Sequence, residues 1–149
     1  MGRIYTFAFD STLNAGGTSN NKRSYVTNWS SVLPENTAFK VTFSFMTAQS
    51  NIVNTPTIMT LQMDLGQSSA FQGSGNSFSS TRFLGTILFA GTSLNSYYYS
   101  EYTTNPPIYI NARPQSAITE VCLHQGLTLV NYNTPVPSDY ILMLSFEEC

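Results

Sequence analysis

The segment 38–46, AFKVTFSFM, alternates apolar and polar side chains with a period of two. Its odd positions carry three phenylalanines and a valine, namely Phe39, Val41, Phe43 and Phe45. A β-strand directs alternate side chains to opposite faces, so this pattern places all four on one face, whereas helical spacing would scatter them. Burying each one contributes about 1.5–3 kcal/mol. The segment therefore predicts a strand in the middle of an apolar layer that the rest of the chain must cover.

Seven further segments read as strands, and no helical periodicity of useful length occurs. They are 3–9, 22–29, 57–65, 82–90, 95–102, 117–125 and 139–147. A short extended run lies at 108–110. The connections 10–21 and 66–81 are rich in Ser, Gly and Asn and predict exposed loops.

Eight strands joined by long connections in 149 residues predict one domain over 1–149. The predicted fold is all-β, an eight-stranded antiparallel sandwich with the topology of a single jelly roll. An immunoglobulin-like sandwich has shorter turns and about 100 residues. A closed lipocalin-like barrel is a weaker alternative, because tight hairpin turns such as Asn-Gly are missing.

Charge is scarce in this chain, at 9% of residues with a net charge of −2. Ordinary domains carry about 25% charged residues, so Ser, Thr, Asn, Gln and Tyr must supply most of the polar surface here. This composition fits a surface that packs against other proteins, because interface centres are depleted of charge. It equally fits a β-rich protein that is simply neutral.

The same composition argues against two classes of partner and favours one compartment. The six basic residues are scattered, with only Lys22 and Arg23 adjacent, so no nucleic-acid binding is predicted. No apolar run reaches the roughly 18 residues of a membrane span. The N-terminus has no apolar run typical of a secretory signal, and we expect production in a reducing, intracellular compartment.

Residues with catalytic or metal-binding potential are few. Cys122 and His124 are two apart on one predicted strand, but a zinc site takes about four ligands, and Cys149 is the only other Cys or His. We therefore predict that Cys122 packs in the interior. Calcium loops, nucleophile elbows, phosphate loops and dinucleotide fingerprints are all missing. The prediction is a protein with no enzymatic activity, no cofactor and no metal; the open alternative is a jelly-roll enzyme with a pair of carboxylates brought together by the fold.

A tyrosine cluster near the middle of the chain is the predicted interface: Tyr97, Tyr98, Tyr99 and Tyr102. Tyrosine offers a large contact area and a hydrogen-bonding tip at a small entropic cost. The alternatives are that these rings merely cover the sandwich, or that they stack on sugars together with Trp29 in a carbohydrate-binding module.

Five segments spread over the chain carry a family resemblance: the aromatic strand 5–9, the apolar strands 43–45 and 59–65, the turn 105–114 and the closing strand 139–147. With these features the chain resembles the single jelly-roll minor capsid or penton-type proteins of large icosahedral double-stranded DNA viruses, such as the chlorella viruses. The chain lacks a basic arm that could reach a genome.

The resemblance implies a structural subunit that joins capsomers or closes a vertex and has no catalytic residues. Its implied partners are the major capsid protein and other minor capsid proteins, with a homo-oligomer as a further option. Its implied location is the capsid of the virion, after synthesis in the host cytoplasm.

Overall fold

The fold is described by a computed structural model for residues 2–13, 16–19, 22–47, 57–65, 83–89, 98–100, 105–125 and 140–149. These residues contain ten strands: β1 (Ile4–Asp10), β2 (Gly16–Ser19), β3 (Lys22–Val26), β4 (Phe39–Thr47), β5 (Thr57–Met63), β6 (Phe83–Phe89), β7 (Tyr98–Ser100), β8 (Ile108–Ile110), β9 (Ile118–Gln125) and β10 (Tyr140–Glu148). Two short 3₁₀ turns, Ser11–Leu13 and Trp29–Ser31, are the only helical elements in these ranges. None of the described helices is long and apolar enough to cross a membrane.

The prediction of an all-β antiparallel sandwich is confirmed. Each of the eight predicted strands overlaps an observed one, and β8 is the short extended run. The prediction that 10–21 is entirely loop is wrong, because β2 pairs there with β3. Its sequence, GGTS, has no apolar alternation, so backbone pairing with a neighbour defines this strand. The predicted loop 66–81 lies outside the described residues.

The strands form two sheets, and all pairings are antiparallel. The β1 sheet has the order β1-β10-β4, and the far edge of β4 pairs with β8 over 39–41 and with β7 over 45–47. The β3 sheet has the order β2-β3-β9-β5-β6. Since β7 and β8 share one edge of β4, the β1 sheet has only four strand positions across its width.

The core lies between the two sheets, because strand pairing places the inward-facing residues of neighbouring strands opposite one another. In the β1 sheet, Phe9 is opposite Leu142, which is opposite Phe45, and all three are buried. Residues of the β3 sheet cover them in one apolar cluster, which includes Leu61 and Val121, both 0% exposed. The segment that predicted a central strand is therefore the middle of the core.

One edge of the β3 sheet is closed by a side chain in place of a strand. The Thr86 backbone N–H donates to Asn105 Oδ1 (2.9 Å), and Asn105 Nδ2 donates to the Thr86 carbonyl (3.0 Å). The carboxamide thus supplies the donor and acceptor that a neighbouring strand would offer to β6. Gly85 makes room for it, since a Cβ there would overlap the Asn105 carboxamide and lie 3.0 Å from Phe43 Cε1.

Candidate interaction surface

The outer face of the β1 sheet is the side turned away from the core, and short or uncharged side chains dominate it. It is formed by Ile4, Thr6 and Ala8 of β1, Lys40, Thr42, Ser44 and Met46 of β4, Tyr109 of β8, and Ile141, Met143, Ser145 and Glu147 of β10. The register aligns them in rows across the strands. Thr6, Ser145 and Thr42 make one row, and Ala8, Met143 and Ser44 make the next.

Four large apolar side chains on this face remain accessible to solvent. Met143 is 42% exposed, Met46 47%, Ile4 59% and Tyr109 63%. They occupy the positions that alternate with core residues, so the strand geometry that buries their neighbours holds them outside. Singly exposed apolar residues are ordinary, but several on one face of a single sheet are typical of a contact surface.

Charge on this face is confined to its margins. Lys40 Nζ lies 3.5 Å from Glu147 Oε2, and these residues are directly opposite each other on β4 and β10. At the end of β1, Asp10 accepts hydrogen bonds from the Thr12 N–H (2.9 Å) and hydroxyl (2.7 Å), which lower the pKa of its carboxyl. The centre of the face thus presents hydroxyls, methyls and thioethers, and a charged partner surface would find no counter-charge there.

The predicted tyrosine interface is only partly described. Backbone pairing places Tyr99 opposite Met46 and Tyr98 opposite Thr47, so β7 is itself a strand of the β1 sheet, paired with the far edge of β4. Tyr97 and Tyr102 lie outside the described residues, as do the side chains of Tyr98 and Tyr99. The role of all four as an interface stays a prediction.

Trp29 is not a sugar-stacking residue, which corrects one part of the carbohydrate-binding alternative. It is 3% exposed, and its ring centroid lies 4.7 Å from that of Phe7 and 5.7 Å from that of Phe146. Its indole Nε1 donates to the Ser116 carbonyl (3.1 Å). The chain turns into a 3₁₀ segment at Trp29, and its ring packs in the core together with that of Tyr25, which is also buried.

Two tyrosines in the core are poor candidates for chemistry. Burial raises the pKa of Tyr140, which is 3% exposed, well above its ordinary value, and burial likewise raises the pKa of Tyr25. Both hydroxyls therefore stay protonated at physiological pH, where neither is an activated nucleophile or base. Tyr140 stacks instead on Phe45 with ring centroids 5.1 Å apart.

Ligands for a metal do not assemble among the described residues, where no group of three His, Cys, Asp or Glu side chains could hold an ion. Cys122 is buried, as predicted. The side chain of His124 is not among the parts of the chain that the structure describes.

A groove of about 470 Å³ lies where the connection after β8 crosses the end of the sandwich near Asp64. Arg113 lines it but is held structurally, because its guanidinium donates to the Leu33 carbonyl (3.0 Å) and lies 4.0 Å from Glu35. Tyr109 also lines this groove, and its aromatic ring is exposed to solvent.

Sequence reasoning did not select the exposed apolar residues of the β1 sheet as a contact face, although their signal was present. Met46 follows the buried Phe45, and Met143 lies between the buried Leu142 and Leu144. An apolar residue at an outward-facing position of an alternating strand cannot enter the core, and several such residues on paired strands indicate a contact face.

Searches of protein-family models and of curated proteins find no match to this chain.

Proposed function

We propose that this protein is a structural subunit of a virus capsid, a minor capsid or vertex protein that joins larger capsomers through protein–protein contacts. The observation that carries the proposal is the outer face of the β1 sheet, a broad, charge-poor surface with exposed Met46 and Met143 on a rigid sandwich. Interface centres are depleted of charge and enriched in Met and aromatic residues.

The order of strand pairing supports the single jelly roll that belongs to this proposal. Counted along the chain, the eight predicted strands pair first with eighth, second with seventh, third with sixth and fourth with fifth: β1–β10, β3–β9, β4–β7 and β5–β6. This is the pairing of one long two-stranded ribbon. Rolling the ribbon up brings β10 beside β4 and β9 beside β5, which completes both sheets.

A capsid role matches the physical character of the chain. The sandwich is held together by a continuous core rich in aromatic residues. Its largely uncharged outer face can pack against neighbours without desolvating unpaired charges. Symmetric shells repeat each contact many times, so individually weak contacts add up. The proposed location is the capsid of the virion, and the proposed partners are the major and other minor capsid proteins.

The proposal is tested on virus particles purified from cells that make this chain. After nuclease and detergent treatment, we expect the chain to remain with the shell at a fixed stoichiometry. An amine-reactive cross-linker should join Lys40, which lies on the outer face of the β1 sheet, to a different capsid protein. Loss of the chain from washed particles would contradict the proposal.

Placing positive charge on the proposed contact face is expected to block incorporation. The double variant Met46→Lys with Met143→Lys should fold normally, because both side chains are exposed, but its incorporation into particles should fall at least about tenfold. Ile118→Lys is the matched control, since Ile118 is 61% exposed and lies in the β3 sheet. Equal incorporation of the two variants would show that the β1 sheet is not the contact face.

A carbohydrate-binding module is the second candidate, favoured by one observation. Tyr109 is 63% exposed beside the groove of about 470 Å³, whose lining also includes the amides of Asn111 and Gln115. An exposed ring next to planar polar groups is suited to stacking on a sugar and hydrogen bonding to its hydroxyls. A glycan array separates the two candidates, because binding abolished by Tyr109→Ala supports this one and a clean negative removes it.

A further inference from the structure

We propose that β1 pairs edge to edge with β1 of a second copy of this chain, so that the two β1 sheets join into one continuous sheet across a two-fold axis. This pairing would use the edge of β1 that faces away from β10, and it is independent of the capsid role.

The hydrogen bonding of β1 shows which of its backbone groups point outward. The Glu148 N–H donates to the Arg3 carbonyl (2.9 Å), in register with the Ile4–Glu147 pair that follows. In an antiparallel ladder this makes the odd-numbered residues of β1 the ones that bond to β10. The even-numbered residues then direct their N–H and C=O groups away from β10. Among the described residues β1 pairs with β10 alone, so this second edge is open to a new strand.

Other described edges in this protein carry protection that β1 lacks. Asn105 caps β6 at Thr86, and β8 is only three residues long, with Pro107 directly before it and Pro114 shortly after it. In β2 the four residues pair irregularly with β3. In contrast, β1 is seven residues of continuous register, IYTFAFD, without lysine, proline or a bulge. Natural proteins block long apolar edges with such devices unless the edge has a partner.

An apolar groove runs along the same edge. It encloses about 330 Å³ between β1, at Phe7–Asp10, and the end of β3. Leu13 and Val26 line it and are each 76% exposed. A strand added to β1 would extend the sheet over this groove and cover both side chains.

The sequence of β1 is suited to pairing with itself. A two-fold axis perpendicular to the sheet brings together residues whose side chains lie on the same face. Centring it on Phe7 lets all seven residues pair and lets every outward N–H find a carbonyl. The opposed pairs are Tyr5 with Phe9 on the core side, and Thr6 with Ala8 and Ile4 with Asp10 on the outer side. No like charges meet, and the aromatic pairs are of the kind that stabilises antiparallel strands.

The test measures the mass of the full chain in solution by sedimentation velocity over a range of concentrations. We expect a concentration-dependent species of twice the 16.5 kDa chain mass. Thr6→Pro removes one outward N–H at a position where an edge strand tolerates proline. It should weaken dimerisation at least about tenfold with the circular dichroism spectrum unchanged. Thr6→Val keeps the N–H and should dimerise like the wild type.

A second measurement applies if Thr6→Pro does not fold. The variant Thr6→Lys with Ala8→Lys keeps the backbone and places lysines opposite each other across the axis, so it should be monomeric. In the wild type, amide exchange at Thr6 and Ala8 should slow as the concentration rises, while Tyr5 and Phe7 stay protected throughout. A wild type that is monomeric at all concentrations would overturn the proposal. The proposal would also be overturned if the Thr6→Pro variant folds and both it and the double lysine variant still form the dimer.

Discussion

Phe45→Ala is expected to lower the free energy of unfolding by about 3–5 kcal/mol. Phe45 is 0% exposed, lies on β4 between β10 and β7, and stacks on Tyr140 at 5.1 Å. Removing its ring leaves a cavity that the surrounding strands cannot close, because their hydrogen bonds hold them apart. Domains of this kind have a total stability of roughly 5–15 kcal/mol, so the loss would be a large fraction of it. Urea unfolding monitored by circular dichroism measures the change.

The neighbouring residue is the matched control for this prediction. Met46→Ala also truncates a large apolar side chain on the same strand, but Met46 is 47% exposed on the outer face of the β1 sheet. We expect its effect on the isolated chain to stay within about 0.5 kcal/mol. Similar losses for the two variants would mean that the alternation of β4 does not separate a core face from an outer face.

Asn105→Ala is expected to destabilise the protein by about 2–4 kcal/mol, the second largest effect predicted here. Each of the two Thr86 backbone groups would lose its partner, at about 1–2 kcal/mol per group, the lower part of the range for buried groups because the site is only partly buried. Asn111→Ala, at an exposed position directly after β8, should stay within about 0.5 kcal/mol. The comparison uses denaturant midpoints at constant m-value.

A double-mutant cycle with Gly85 tests whether the Asn105 carboxamide is held where the structure places it. Gly85→Ala alone should cost about 1–3 kcal/mol, because the new methyl group would overlap that carboxamide. In the Asn105→Ala background the overlap is relieved, and the cost of Gly85→Ala should fall by at least about 0.5 kcal/mol. Strictly additive effects would show that Asn105 does not lie over Gly85.

Several elements of the fold could be predicted because their signal is local. The alternation in 38–46 and 139–147 is enough to identify β4 and β10 and their buried faces, since side-chain direction in a strand depends only on residue parity. Burial of Phe39, Leu142 and Phe146 at 0% exposure follows from that parity. The sequence could not predict β2, whose residues have no apolar pattern, or the turn that buries Trp29.

The contact face and its edge were harder to predict, for a different reason. Met46 and Met143 are nearly a hundred residues apart, and only the pairing of β10 with β4 places them on one surface. The tyrosine cluster was predicted as an interface because its residues are close together in the chain. The exposed apolar residues of the outer face are brought onto one surface only by strand pairing. Among the described strands β1 has one open edge, which is a property of strand order and cannot be read from IYTFAFD alone.

The amino-acid sequence by itself therefore determined the class of the protein, an all-β chain whose strands each have an apolar face and whose composition is poor in charge, histidine and cysteine. Tertiary structure alone decided which strands are neighbours, which edge Asn105 closes, which edge of β1 stays open, and which outward side chains form one face. The physical reason is that side-chain alternation is encoded within each strand, whereas the register and order of strands depend on hydrogen bonds between segments far apart in the chain.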